Sequence, residues 1–170
     1  MIRAIAIAAA FAVAASAQTP APDANPMTVS GRIDSTYGVP KLIESVQNTT
    51  TRAIRGFAYV TTFTDPATGK VISTWNRACA RTDLNPALNP GPGDPVPAGC
   101  RNGLPSRGAV IASGAGPEPI GSPLSVPSTG SGAPANYSFA VDLVIFMDGT
   151  TLGPAKTSAA RSILMALKSR

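Results

Sequence analysis

The chain has 170 residues, 14 Lys and Arg against 9 Asp and Glu for a formal charge of +5, two cysteines and no histidine. Without an imidazole, the Ser-His and Cys-His nucleophile pairs and the His-ligated zinc sites cannot be assembled, and two cysteines alone make a poor metal set. The basic residues are spread singly rather than in runs, a balance that gives mild attraction to anionic polymers and argues against nucleic acid as a partner.

Arg3, the apolar run over residues 4–14 and Ala15-Ser16-Ala17 have the three-part form of a secretory signal, residues 1–17, with Gln18 as the first mature residue. The run is shorter than the roughly 20 residues a membrane-spanning helix needs, and no other segment is long enough. The mature chain is therefore expected to be secreted or periplasmic, with no transmembrane segment, and its size of about 150 residues suits one domain. Residues 18–27, with Pro20, Pro22 and Pro26, read as a disordered or extended leader ahead of a single domain over 28–170.

Residues 28–33 can form a first strand, residues 35–40 a turn with Gly38 and Pro40, and residues 41–47 a second strand. In that second strand Leu42 and Val46 share a face with Glu44, whereas Ile43 sits with Ser45 and Gln47; a bulge would reconcile the two sets. Residues 53–64 alternate clearly, and Phe57, Tyr59, Thr61 and Phe63 are expected in the core. The run Asp65-Pro66-Ala67-Thr68-Gly69-Lys70 is a turn, and residues 71–76, with Trp75, return as the hairpin partner.

From 78 to 135 the composition shifts to Pro, Gly, Ser and Asn, which predicts a long surface excursion holding one or two short strands near 108–112 and 123–126. Cys79 and Cys100 flank its first part. In an exported chain this spacing predicts a disulfide, contributing on the order of 3 kcal/mol in the chain-entropy model, with two free thiols as the alternative. Residues 137–147 carry the longest strand signal, with Tyr137, Phe139, Val141, Leu143, Ile145 and Met147 on one face expected in the core. Asp148-Gly149 then turns the chain, and residues 150–152 can pair back. Past Gly153-Pro154, residues 155–168 read as a helix whose stripe of Ala160, Ile163, Leu164 and Leu167 should lie on the sheet, over Val144 and Phe146.

Candidate chemistry is sparse. Asp148-Gly149-Thr150 inverts the order of an aspartic-protease loop and reads as a turn; the glycine-rich 111–116 stretch is followed by Pro117 and Pro119, which forbid a phosphate-binding helix, so no cofactor is expected. Asp142 could offer a cation ligand from mid-strand, though pairing with a neighbour is the commoner role. Asn48 and Asn136 head glycosylation-type triplets. A pair of catalytic carboxylates would need two acids to converge, and Glu44, Glu118 and the scattered Asp residues give no sign of it, so no catalytic residue is assigned. Arg77, Arg81, Arg101 and Arg107 flank the cysteine-bounded loop and form a basic margin, the candidate contact surface for an envelope protein or an anionic polymer.

The turn at Asn48-Thr49, Ile54 ahead of an aromatic strand, the 65–70 hairpin and Val141-Asp142-Leu143-Val144-Ile145-Phe146-Met147-Asp148-Gly149 before a helix resemble secreted bacterial proteins whose strand layout is immunoglobulin-like. The Cys-Trp-Cys order of antibody domains is not present, since Trp75 precedes both cysteines. The resemblance implies no catalytic or ligand residues. The expected fold is an all-β, immunoglobulin-like sandwich with a C-terminal helix and a disulfide-closed loop. The expected function is that of a non-catalytic binding or structural module of a bacterial envelope; a carboxylate-dependent hydrolase of cell-wall or polysaccharide substrate is the alternative.

Overall fold

Regular alternation in the sequence becomes two antiparallel sheets packed face to face, a sandwich-like, mostly β architecture with one helix. In the computed structural model, which describes residues 26–36, 38–81, 84, 110–130 and 132–169, β1 (Met27–Asp34) pairs with β2 (Lys41–Asn48) along its whole length. On its other side β2 pairs with β5 (Glu118–Pro119) and β6 (Leu124–Ser125). These two lie end to end, Glu118 opposite Val46 and Leu124 opposite Leu42, with Ile120 N–H donating to the Glu44 carbonyl between them, so they act as one interrupted strand. The second sheet runs in the order β4 (Val71–Ala80), β3 (Ile54–Thr64), β7 (Asn136–Phe146) and β8 (Thr151–Leu152), and α1 (Ser158–Lys168) packs on its outer face. The signal and most of the leader, residues 1–25, lie outside the described residues.

β2 needs no bulge. Its register against β1 advances one residue at a time from Met27 opposite Asn48 to Asp34 opposite Lys41, with Leu42, Glu44 and Val46 all facing inward. The conflict seen in the sequence is resolved by giving the inward carboxylate a partner rather than by turning it out.

Between the sheets, Phe57 and Tyr59 of β3 join Met27, Val46, Cys79, Val144 and Phe146, and Phe63 joins Leu42 and Leu124. The expected inward set on β3 is thus in place. On β7 the expectation holds only for half the strand. The register against β3 slips between Ala58 and Tyr59, whose partners are Leu143 and Val141, so Asp142 is the extra residue of a bulge. Tyr137, Phe139 and Val141 face the other sheet; past the bulge Val144 and Phe146 do so, while Leu143 and Ile145 turn to the helix and Met147 is exposed. A one-residue slip exchanges the faces of everything beyond it. The helix therefore sits on Leu143 and Ile145, not on Val144 and Phe146.

The chain enters α1 through the same bulge. Gly153 passes so close to β7 that a Cβ there would lie 2.4 Å from the Asp142 carbonyl oxygen, and its φ of 110° is open to glycine. Ala155 N–H then donates to that carbonyl at 2.9 Å, and the Asp142 carboxylate accepts from Lys156 and Thr157 N–H, each at 2.8 Å. Thr157 caps the helix by accepting from Ala160 N–H at 3.1 Å, which is why α1 starts at Ser158 rather than 155. Asp142 is thus an anchor for the helix entrance.

Burial pushes the Asp142 carboxyl up, but hydrogen bonds from Thr157 and Lys156 outweigh it and hold the group below its ordinary value. A folded value below the unfolded one means that the stabilisation is complete above about pH 4 and is lost as pH falls through the folded value. The stability gap between the wild type and Asp142→Asn in urea should accordingly be about 1 to 3 kcal/mol at pH 7 and shrink in acid. A gap that stays constant from neutral to acid pH would show that the charge of Asp142 does not hold the helix entrance.

Candidate functional site

The turns at one end of the sandwich are tied together by hydrogen bonds. Residues 49–53 join β2 to β3, and residues 147–150 join β7 to β8; Met147 N–H donates to the Ala53 carbonyl at 3.0 Å. Arg52 Nη2 donates to both carboxylate oxygens of Asp148, at 2.9 and 2.7 Å, and to the Thr150 hydroxyl, while its guanidinium lies 3.7 Å above the Phe146 ring. Hydrogen bonds from the Thr150 amide and hydroxyl, then the Arg52 contact, hold the Asp148 carboxyl below its ordinary value against slight desolvation. Asn48 completes the knot: its amide donates to the carbonyls of Arg52 and Ala112, and its oxygen accepts from Thr50. A residue so buried and so fully engaged leaves no amide for a glycan; Asn136, at the start of β7, is exposed.

β4 ends at this same place. Gly56 pairs with Ala80, and Arg81 N–H donates to the Arg55 carbonyl at 3.0 Å. After the next residues the chain passes outside the described set, and it returns at Val110, whose N–H reaches the Ile54 carbonyl at 2.7 Å; Ile54 N–H donates to the Ile111 carbonyl at 2.9 Å. Both feet of the 82–109 segment are therefore planted beside the 49–53 and 147–150 turns.

Of the expected basic margin, Arg77 is a correction. It points between the sheets, with a side chain 4% exposed, and its Nε donates to Glu44 Oε2 at 2.7 Å; the Glu44 side chain is 0% exposed. Tyr59 donates to the same oxygen at 3.1 Å, Thr61 donates to Oε1, and Arg77 Nη2 donates to the Ser122 carbonyl at 2.8 Å. Burial first, and then the Glu44 charge, push the Tyr59 hydroxyl far up, so it remains a donor. Arg77 ties the two sheets together and offers nothing to solvent. Arg81 is half-exposed at the foot of the segment, and Arg101, Arg107 and Cys100 lie outside the described residues. Cys79 is buried in the inter-sheet core near that foot.

The described carboxylates are spread over separate strands and turns. Glu44, Asp142 and Asp148 are bound as above, Asp34 accepts from Thr36, Asp65 accepts from the amides of Ala67 and Thr68 in its turn, and Glu118 is exposed on β5. No group of three or more His, Cys, Asp or Glu able to hold a metal ion occurs among the described residues, and no helix there is long and apolar enough to cross a membrane. The sequence reading missed Arg52, whose partner Asp148 is 96 residues away, and the pairing of Glu44 with Arg77 across 33. Only the inward register of Glu44 hinted at the second. No protein-family model, curated protein or solved structure matches the chain.

Proposed function

We propose that the protein is an exported, immunoglobulin-like binding module of a bacterial envelope, which contacts its partner through the end of the sandwich that carries the 82–109 segment. The strand order supports the immunoglobulin-like part. With β5 and β6 counted as one strand and β4 as an extra strand beside β3, the first, second and fifth strands share one sheet, and the third shares the other with the last two. Export rests on the signal-like residues 1–17.

The observation that carries the contact surface is the common footing of the segment and two turns, stiffened by Arg52, Asn48 and the inter-sheet core. Loops raised from a rigid base present side chains at little ordering cost. A Cys79–Cys100 bond closing the segment belongs to this proposal, and is supported by the place of Cys79 at its foot and by the lack of free cysteine among the described residues. Arg81, Arg101 and Arg107 supply the basic margin, with Arg77 removed from the surface set, and the partner is an anionic polymer or an envelope protein with an acidic face.

The triple replacement Arg81→Ser, Arg101→Ser and Arg107→Ser should elute from immobilised dextran sulfate at lower salt than the wild type. At roughly 0.5 kcal/mol per exposed charge the loss in affinity is about tenfold. Equal retention of the two proteins, with equal urea midpoints, would move the contact surface elsewhere.

A further inference from the structure

The surplus of positive charge in this chain has one location. Residues 18–150 carry nine Lys and Arg against nine Asp and Glu, whereas residues 151–170 carry Lys156, Arg161, Lys168 and Arg170 and no acid at all. The strands and their loops balance; the helical segment does not.

The fold sets that surplus on the outward side of α1. Ala160 and Ile163 are buried against the sheet, with Leu164 and Leu167 half-buried beside them, so the opposite arc of the helix is made of Ser158, Arg161, Ser162, Met165 and Lys168. Arg161, Met165 and Lys168 follow one another at steps of four and three, a stripe about 10 Å long. All three are exposed, Met165 at 64%. Lys156, at the helix entrance, is partly balanced by the Asp142 charge beneath it, but no carboxylate among the described residues pairs with Arg161 or Lys168. Arg161 Nη1 donates to the Lys156 carbonyl, which holds the guanidinium on this side. Helix stability accounts for Lys168, which lies in the last turn, but not for Arg161, which lies nearer the positive end of the dipole.

We infer that the outer stripe of α1 docks the protein peripherally on an anionic phospholipid bilayer, with Arg161 and Lys168 at lipid phosphates and Met165 dipping into the boundary between headgroups and acyl chains. The cations set the sign of the occupant, and Met165 sets its kind. An anionic polymer would use the cations alone and gain nothing from an exposed thioether between them. A protein interface needs a desolvated core of apolar side chains, and this convex stripe offers one. A lipid surface asks for neither shape nor many contacts: each cation near it contributes about fivefold in affinity, and a flexible apolar tip adds to that. The stripe shares no residue with the basic margin of the 82–109 segment, and it stands whether or not that margin binds a partner.

Co-sedimentation of the chain beginning at Gln18 with large vesicles tests the docking, in about 0.1 M salt, where a Debye length of about 10 Å screens charge elsewhere on the protein. The wild type should bind vesicles of equal phosphatidylglycerol and phosphatidylcholine and ignore vesicles of phosphatidylcholine alone. Arg161→Ser with Lys168→Ser should lower that binding roughly 20-fold. Arg32→Ser with Lys70→Ser makes the same change of charge on β1 and in the 65–70 turn, and should lower it by about twofold at most. Met165→Ser keeps every charge; it should weaken vesicle binding roughly threefold and leave retention on dextran sulfate unchanged. Urea midpoints should stay close to the wild type throughout, since each of these side chains is exposed. A wild type that ignores anionic vesicles or binds both kinds alike, equal losses in the two double variants, or a Met165→Ser protein that binds vesicles as the wild type does would each overturn the inference.

Discussion

Arg77→Ala is expected to destabilise the fold by about 3 to 5 kcal/mol, several times what an exposed arginine would cost. The reason is not the strength of the ion pair itself. Arg77 and Glu44 were both desolvated when the sheets closed, and their attraction offsets that cost only while both are present. Removing the guanidinium strands the Glu44 carboxylate between the sheets with only Tyr59 and Thr61 donating to it, and releases the Ser122 carbonyl that Arg77 holds in the break between β5 and β6. Arg77→Met combined with Glu44→Met should cost clearly less than the sum of the two single changes, because no charge is then left alone. Urea unfolding of the four proteins gives the coupling directly. A loss of under about 1 kcal/mol for Arg77→Ala would return this residue to the surface.

The elements legible in the sequence are those whose signal is local. Period-two alternation placed β2, β3 and β7 to within a residue or so, and Asp65, Pro66 and Gly69 marked a turn in which Asp65 accepts from Ala67 N–H and Gly69 has a φ of 69°. β4 was read too short. Its second half, Arg77-Ala78-Cys79-Ala80, lacks the β-branched and aromatic residues that announce a strand, because a helix must fit over Ala78 and Ala80 and an inward arginine must meet a glutamate on another sheet. The bulge at Asp142 was invisible for a related reason. A slip of one residue is a property of two strands, and nothing in residues 137–147 alone says where β3 will fall out of step. The site was legible only as composition: a segment of Pro, Gly and Asn between two strong strands. That its feet stand beside the 49–53 and 147–150 turns follows from pairings of Ile54 with Ile111 and of Arg52 with Asp148, contacts that no spacing encodes.

Ile163→Ala is expected to cost about 2 to 5 kcal/mol, whereas Leu164→Ala, which the helical stripe alone would rank as its equal, should cost distinctly less. The bulge decides between them. By turning Leu143 and Ile145 outward beside Ala58, Ala78 and Ala80, it makes a shallow seat floored by small side chains, and the two helix residues that reach its bottom are Ala160 and Ile163. Gly56 extends this floor, since a Cβ there would come within 3.0 Å of the Ala80 methyl. Leu164 and Leu167 lie half-buried at the rim, and Met165 faces solvent at 64% exposed. A rim residue keeps part of its contact with water in the native state, so its truncation removes less buried area and leaves no enclosed cavity. Ile163 has no such relief, because the sheet beneath it is continuous and the backbone entering the helix is fixed by Gly153 and by Asp142. Urea midpoints should therefore rank Ile163→Ala lowest, then Leu164→Ala, with Met165→Ser close to the wild type. Equal losses at Ile163 and Leu164 would mean that the helix is rotated from this seat, and amide exchange in α1 would then be as fast in the wild type as in Asp142→Asn.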